Sequence, residues 1–268
     1  MYKLIFSDAD GTLLDSNGQV SEANVKAISK AEEKGIGFVL CSGRQLGACS
    51  GIIRSLGLED KENVYTISSN GAVVSENKGN KVLHTFAISL EDTAKVYDLV
   101  RDQDLKILIM TDKDVYYFYG NGLKAGDIKK FSQMDRNLIE DLSLLKDQLI
   151  SKLVINSDRH EDLVAFLEKL EGLRDDLTMS FSDELVLEIT AKGVDKSSGM
   201  KWLVEYLGIE LKEVIAVGDQ LNDLPMIKAA GLGTCVSNAK EDVKAGSDLV
   251  LDASNDEDAI AKLINRIL

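Results

Sequence analysis

This chain of 268 residues is poor in proline, histidine and cysteine, with one, two and three residues respectively. Pro225 falls early in a predicted helix, where its missing N–H costs little. His84 and His160 belong to no motif and are expected at the surface. Cys41, Cys49 and Cys235 are odd in number and form no C-x-x-C pair, which excludes a disulfide framework and a thiolate zinc site and leaves them as small packing residues. No apolar run reaches membrane-spanning length, and Met1 leads straight into a strand without an apolar leader, so a cytoplasmic protein with no membrane partner is expected. Basic residues are too few for a nucleic-acid partner: 31 against 45 acidic ones give a net charge of −14. That balance still permits a small phosphate ester, because a metal ion and one or two local cations dominate the field in a pocket.

With 44% hydrophobic residues the chain can bury a substantial core, and its length suits one large or two ordinary domains. The stretch from Lys3 to Leu14 organises the rest. An apolar run of strand length ends in two carboxylates, Asp8 and Asp10, followed by Gly11, as expected of a buried strand delivering acids into a crevice. One carboxylate could attack while the other handles a proton. The same pair would also serve simply to cap a helix or build a turn. A calcium loop is excluded, since starting at Asp8 it would put Gly11 fourth and Gln19 twelfth.

Strand and helix then alternate. Ser21 caps a helix over 22–34 with Val25, Ile28 and Ala31 on one face; a strand over 36–40 runs into Ser42-Gly43-Arg44; a helix through Ile52, Ile53 and Leu56 precedes a strand over 64–67 and Ser69-Asn70-Gly71. From about residue 82 the pattern changes to a helix with Leu90, Ala94, Tyr97 and Val100 on one face, followed by a hairpin of strands 106–110 and 115–119. After a strand over 152–155 the pattern recurs: a helix over 161–170, then strands 177–181 and 185–189. Consecutive strands joined by short turns predict an antiparallel sheet covered by helices. Alternation resumes near residue 192 with a helix over 196–207, a strand over 214–217 running into Gly218-Asp219-Gln220-Leu221-Asn222-Asp223, strands 232–236 and 248–251, and a helix over 256–268. The expectation is an α/β protein: a Rossmann-like doubly wound parallel sheet in two parts, 1–81 and 189–268, interrupted by an inserted α+β cap domain over 82–188.

Ligands bind beyond the carboxyl ends of strands in such sheets, so Asp8, Asp10, Ser42 and Asp219 converge if their strands are neighbours. Carboxylates about 4 Å apart repel by roughly 4 kcal/mol per pair at an effective dielectric of 20, so the cluster of Asp8, Asp10, Asp219 and Asp223 calls for a cation. Oxygen ligands without His or Cys point to a hard ion, and few carboxylates together with a phosphate form the Mg²⁺ pattern. Ser42 in isolation reads as a turn residue, and Asp223 also stands where a helix cap would. Lys196 opens a helix, where a cation opposes the dipole and makes a poor structural choice.

Taken together, Asp8-Ala9-Asp10-Gly11-Thr12, Ser42-Gly43-Arg44, Asn70-Gly71-Ala72, Gly193-Val194-Asp195-Lys196 and the 218–223 run resemble the haloacid dehalogenase superfamily, specifically its Cof-type phosphatases with a C2B cap. The resemblance spans the whole chain. It implies Asp8 as a nucleophile forming an aspartyl-phosphate, and Asp10 as the group that protonates the leaving oxygen and then activates water. It further implies Ser42 and Lys196, with the Ala9 and Gly43 backbones and Asn222, as the phosphate cradle. The metal set would be Asp8, the Asp10 carbonyl, Asp219 and Asp223 around Mg²⁺, with Arg44 and Asn70 at the substrate mouth. Ala9 in place of a larger apolar residue, Ser197 where Gly is frequent, and Val236-Ser237-Asn238-Ala239 depart from the family pattern without removing a reacting group.

The implied activity is hydrolysis of small phosphorylated metabolites, sugar phosphates or similar. A phosphomutase would share the aspartyl-phosphate but return the group to substrate. A non-catalytic phospho-receiver or pseudo-enzyme would keep the acidic pocket but have little use for Asp10. The inserted segment is expected to close over the core and choose the substrate, with Tyr116, Tyr117, Tyr119, Met134 and Arg136 as candidate contacts, although hairpin packing and surface placement explain the same residues.

Overall fold

The structure is a computed structural model that describes residues 1–122 and 137–268. Met134 and Arg136 lie outside the described residues. Two compact units divide the chain: Met1–His84 with Asp195–Leu268, and Thr85–Val194.

The first unit begins β1 (Leu4–Asp8), α1 (Glu22–Glu33), β2 (Gly37–Cys41), α2 (Leu46–Ser55), β3 (Tyr65–Ser68), β4 (Val73–Glu76) and β5 (Lys81–Thr85). Ser21 caps α1 by accepting from the Asn24 N–H, as its sequence position predicts. The second unit follows with α3 (Leu90–Arg101), β6 (Lys106–Thr111), β7 (Val115–Tyr119), β8 (Ile150–Asn156), α4 (His160–Lys169), β9 (Leu177–Asp183) and β10 (Val186–Ala191). The chain then completes the first unit with α5 (Lys196–Tyr206), β11 (Val214–Gly218), α6 (Leu224–Ala229), β12 (Leu232–Cys235), α7 (Glu241–Ala245), β13 (Leu249–Val250) and α8 (Ala259–Ile267).

In the first unit eight strands run in the order β13-β12-β11-β1-β2-β3-β4-β5. The pairs from β13 to β3 are parallel, and β1 is flanked by β2 and β11. Strand alternation sends Ile5, Phe38, Leu40, Ile215 and Val217 to one face, where α1, α2 and α8 cover them. Phe6, Val39 and Ala216 go to the other face, under Met200, Leu203 and Val204 of α5. Each large apolar side chain buried in this way contributes about 1.5–3 kcal/mol. Two layers of helix thus leave the carboxyl ends of three adjacent strands to carry chemistry.

In the second unit the order is β7-β6-β8-β10-β9, with neighbouring strands antiparallel. Its core holds Val96, Tyr97 and Val100 of α3 and Leu163 and Phe166 of α4 against Ile107, Ile109, Leu153 and Ile155.

The structure adds what periodicity did not. β3 turns back into antiparallel β4, with β5 beyond it, so the core sheet is mixed at that edge; Val73 and Val74 form a run too short to read as a strand. The buried face of α3 is Thr93, Val96, Tyr97 and Val100, whereas Leu90 and Ala94 are only partly covered. The last helix does not run from 256: Asp258 takes a left-handed backbone (φ 60°) after a short 3-10 turn closed by a Ser254–Glu257 capping box, and α8 starts afresh at Ala259. β10 runs to Ala191, past the expected end of the insertion at 188. His84 is half-buried, stacked on Trp202 with ring centroids 4.9 Å apart, so the surface expectation for it was wrong; His160 is exposed.

Candidate active site

The site is built from strand ends. β1 is buried along its whole length and delivers Asp8, 5% exposed, where Asp8 pairs with Cys41 of β2 and Ser7 with Val217 of β11. The backbone then turns: the amides of Leu13 and Leu14 both donate to the Ala9 carbonyl, and Ala9 is fully buried. Asp8 and Asp10 therefore leave the strand for different surroundings. The Asp8 carboxylate is buried, while the Asp10 side chain is 60% exposed and gripped by Arg44, whose Nε donates to Oδ2 at 3.0 Å and Nη2 to Oδ1 at 2.5 Å.

Lys196, at the first position of α5 and 2% exposed, donates to Asp8 and, at 2.5 Å, to Asp223. The helix around it is fixed by a capping box between Asp195 and Ser198. Gly71 admits this helix start: its φ is +92°, and a Cβ there would lie 1.9 Å from the Asp195 carbonyl oxygen. Asp223 does not cap α6. One of its oxygens accepts Lys196 and the other accepts the Asp219 and Gln220 amides at 3.0 and 2.9 Å, which folds the loop after β11 around the carboxylate. Asp219 in turn accepts the Thr12 hydroxyl at 2.7 Å and the Gln220 amide nitrogen at 3.0 Å. Gly11, at φ +82°, makes room for it, since a Cβ would approach Asp219 Oδ2 to 2.6 Å.

Asp8, Asp219 and Asp223 each place a ligating oxygen within 4.8 Å of the others, all buried. Burial, opposed by Lys196 but reinforced by the charges of Asp223 and Asp219, pushes the Asp8 carboxyl up to about 8. Burial likewise raises Asp219, against the pull of the Thr12 hydroxyl. Burial pulls Lys196 down, but the charges of Asp223 and Asp8 outweigh it and hold the ammonium above its usual range. At 4.8 Å and an effective dielectric of 20 each carboxylate pair repels by about 3 kcal/mol, and one ammonium cannot neutralise three carboxylates. The donor set therefore fits a hard cation. Asp223 already accepts three hydrogen bonds, which leaves Asp8 and Asp219 the freer ligands and makes Asp223 the group that orients them.

Of the residues singled out from sequence, Asp8, Lys196, Asp219 and Asp223 meet. Ser42 is buried beside them at the end of β2 and its Oγ accepts the Arg44 amide at 3.1 Å; Gly43 is half-buried. The Asp10 carboxylate turns instead to Arg44. Asn222 is exposed on the loop before α6. Asn70, a candidate for the substrate mouth, is buried with φ 57°, and its backbone amide donates to the Ser42 carbonyl at 3.1 Å. Tyr117 and Tyr119 are buried with Lys106 Nζ 4.9 Å from each ring centroid, and the Tyr116 hydroxyl accepts from Gln148. Sequence reasoning missed the Arg44–Asp10 pair and the Thr12 bond to Asp219; the threonine directly after Gly11 was the available signal for the second.

A buried carboxylate paired with a lysine, beside two further carboxylates at the ends of adjacent parallel strands, marks a phosphoryl-handling α/β hydrolase. Residues 5–264 match the haloacid dehalogenase-like hydrolase family, and the chain belongs to it, as a phosphatase. Phosphatase YwpJ of Bacillus subtilis is 31% identical over 99% of this chain and 100% of its own. The 5-amino-6-(5-phospho-D-ribitylamino)uracil phosphatase YcsE of the same organism is 32% identical over 98% of this chain and 94% of its own. A haloacid dehalogenase-like hydrolase from Bacteroides thetaiotaomicron has the same fold, with a TM-score of 0.85 at 29% identity and full coverage of both chains. Among the described residues no helix is long and apolar enough to cross a membrane.

Proposed function

We propose that this chain is a Mg²⁺-dependent phosphatase of small phosphorylated metabolites, sugar phosphates or similar compounds, working through a phosphoryl group carried on Asp8. The observation that carries this reading is the buried Asp8 carboxylate held by Lys196, with the exposed Asp10 carboxylate two residues on. In the first half-reaction an Asp8 oxygen bonds to phosphorus as the bond to the leaving oxygen breaks, and Asp10 gives that oxygen its proton. In the second, water attacks phosphorus, Asp10 takes a proton from it, and the bond to Asp8 breaks, which releases phosphate and restores the carboxylate. Ser42 and Lys196 hold the transferring group, since phosphoryl transfer depends on in-line positioning and charge neutralisation. Asp8, Asp219 and the Asp10 carbonyl would hold Mg²⁺, with Asp223 orienting its surroundings. When bound, the ion offsets the carboxylate repulsion and withdraws charge from the phosphoryl oxygens.

The second unit supplies none of these residues, which supports a part for it in substrate selection. Three buried, unbridged cysteines are in keeping with a reducing, cytoplasmic setting. The test is phosphate release from a panel of phosphorylated metabolites with and without Mg²⁺. Release should need the ion and fall in Ca²⁺, whose larger shell of oxygens disturbs the approach of Asp8. Full activity in chelator would contradict the reading.

A further inference from the structure

Arg44 reaches Asp10 with both arms of a planar fork, an arrangement that fixes a carboxylate in direction as well as in place. Such a grip matters here because Asp10 is largely exposed, and a solvated carboxylate without it is free to turn. The arginine is itself anchored from two sides. Its amide donates to Ser42 Oγ at 3.1 Å, and its carbonyl accepts the Ser69 amide at 2.8 Å. Ser69 and Asn70 hold left-handed backbones, φ 51° and 57°, and the Asn70 amide donates to the Ser42 carbonyl. Two successive non-glycine residues in that conformation cost free energy, which the protein offsets by using them to seat the segment from Ser42 to Arg44.

An ion pair of this kind forms with the deprotonated carboxylate, which is the proton-accepting form. It serves the step in which Asp10 takes a proton from water. In the step where Asp10 gives a proton away, the fork meets a carboxylate only as the proton departs, and an ester whose leaving group departs without a proton makes no demand on it. Taking Asp10 as the acid–base group proposed above, we infer that Arg44 is a positioning residue that aims the Asp10 carboxylate for hydrolysis of the phosphorylated Asp8, rather than a contact at the substrate mouth.

The two half-reactions separate with p-nitrophenyl phosphate, whose leaving group departs without a proton. For this ester kcat/KM reports phosphorylation of Asp8 alone, and kcat includes the attack of water. Wild type, Arg44→Ala, Arg44→Lys and Asp10→Asn are compared in steady state and in the first turnover, with Trp202 fluorescence as the check on folding. Arg44→Ala should lower kcat about tenfold or more, keep kcat/KM within about threefold, and release a burst of p-nitrophenolate approaching one per site. Arg44→Lys, which keeps the charge but loses the fork, should fall between Arg44→Ala and wild type. A lower kcat/KM with kcat unchanged would make Arg44 a substrate contact. Unchanged kinetics, a faster variant, or parallel losses without a burst would also overturn the inference. If Asp10→Asn shows the burst and Arg44→Ala does not, only the role of Arg44 falls. If Asp10→Asn turns over normally, the proposed chemistry of Asp10 falls with it.

Discussion

Replacing Lys196 by methionine keeps much of the side-chain volume and removes the one ammonium between Asp8 and Asp223. The two buried carboxyls, within 4.8 Å of each other, then lose their shared counter-charge and repel by about 3 kcal/mol once both are ionised. Removing one member of a buried ion pair costs about 3–5 kcal/mol, so the loss should lie in that range, a fall in Tm of about 6–20 °C for a chain of this size. The pH dependence follows from Asp8. In the wild type its carboxyl is raised to about 8, so the stability it contributes is complete below pH ~4 and is lost as pH rises through 8. Without Lys196 the causes that raise it stand unopposed, and the loss continues beyond pH 8. The difference between variant and wild type should therefore be flat below pH 8 and grow by about 1.4 kcal/mol per pH unit above it. The assay is denaturant unfolding in chelator, followed by Trp202, the one tryptophan, on the same helix as Lys196. A loss under about 1 kcal/mol, or no growth between pH 8 and 9, would refute the reasoning.

Asp219→Asn should raise the Mg²⁺ concentration needed for half-maximal activity by about tenfold or more, measured by metal titration of phosphate release; an unchanged requirement would remove Asp219 from the metal site. Gly71→Ala should destabilise the first unit by about 3 kcal/mol or more, because the new Cβ meets the Asp195 carbonyl and the backbone is left-handed, and a loss below about 1 kcal/mol would contradict that packing. Exchanging residues 85–194 for the matching segment of a related phosphatase should move relative kcat/KM across a substrate panel toward the donor, whereas selectivity that stays with the first unit in an active chimera would end that proposal.

How much of this was legible in the sequence follows from the range of the forces involved. β1, β2 and β11 could be read because a buried parallel strand is an unbroken apolar run, and each ends in polar residues that a core would not otherwise tolerate. Lys196 stood out because a cation at a helix start has no local justification. The antiparallel edge was missed because Val73–Glu76 is too short to show alternation, and its pairing with β3 is a tertiary fact. Asn70 was assigned to the substrate mouth through the resemblance, and the left-handed backbone that accompanies its burial leaves no mark in composition. The divergence of Asp8 and Asp10 was likewise hidden, because it depends on the backbone turn at Ala9 and on Arg44, thirty-four residues on from Asp10.

The most direct test of the account is to acid-quench the enzyme during turnover and map phosphoryl groups by peptide mass spectrometry. The account predicts one phosphoryl group on the peptide containing Asp8 in wild type, more of it in Asp10→Asn, and none in a folded, inactive Asp8→Asn. Undiminished phosphate release by Asp8→Asn, with no phosphoryl group on that peptide in wild type, would contradict it.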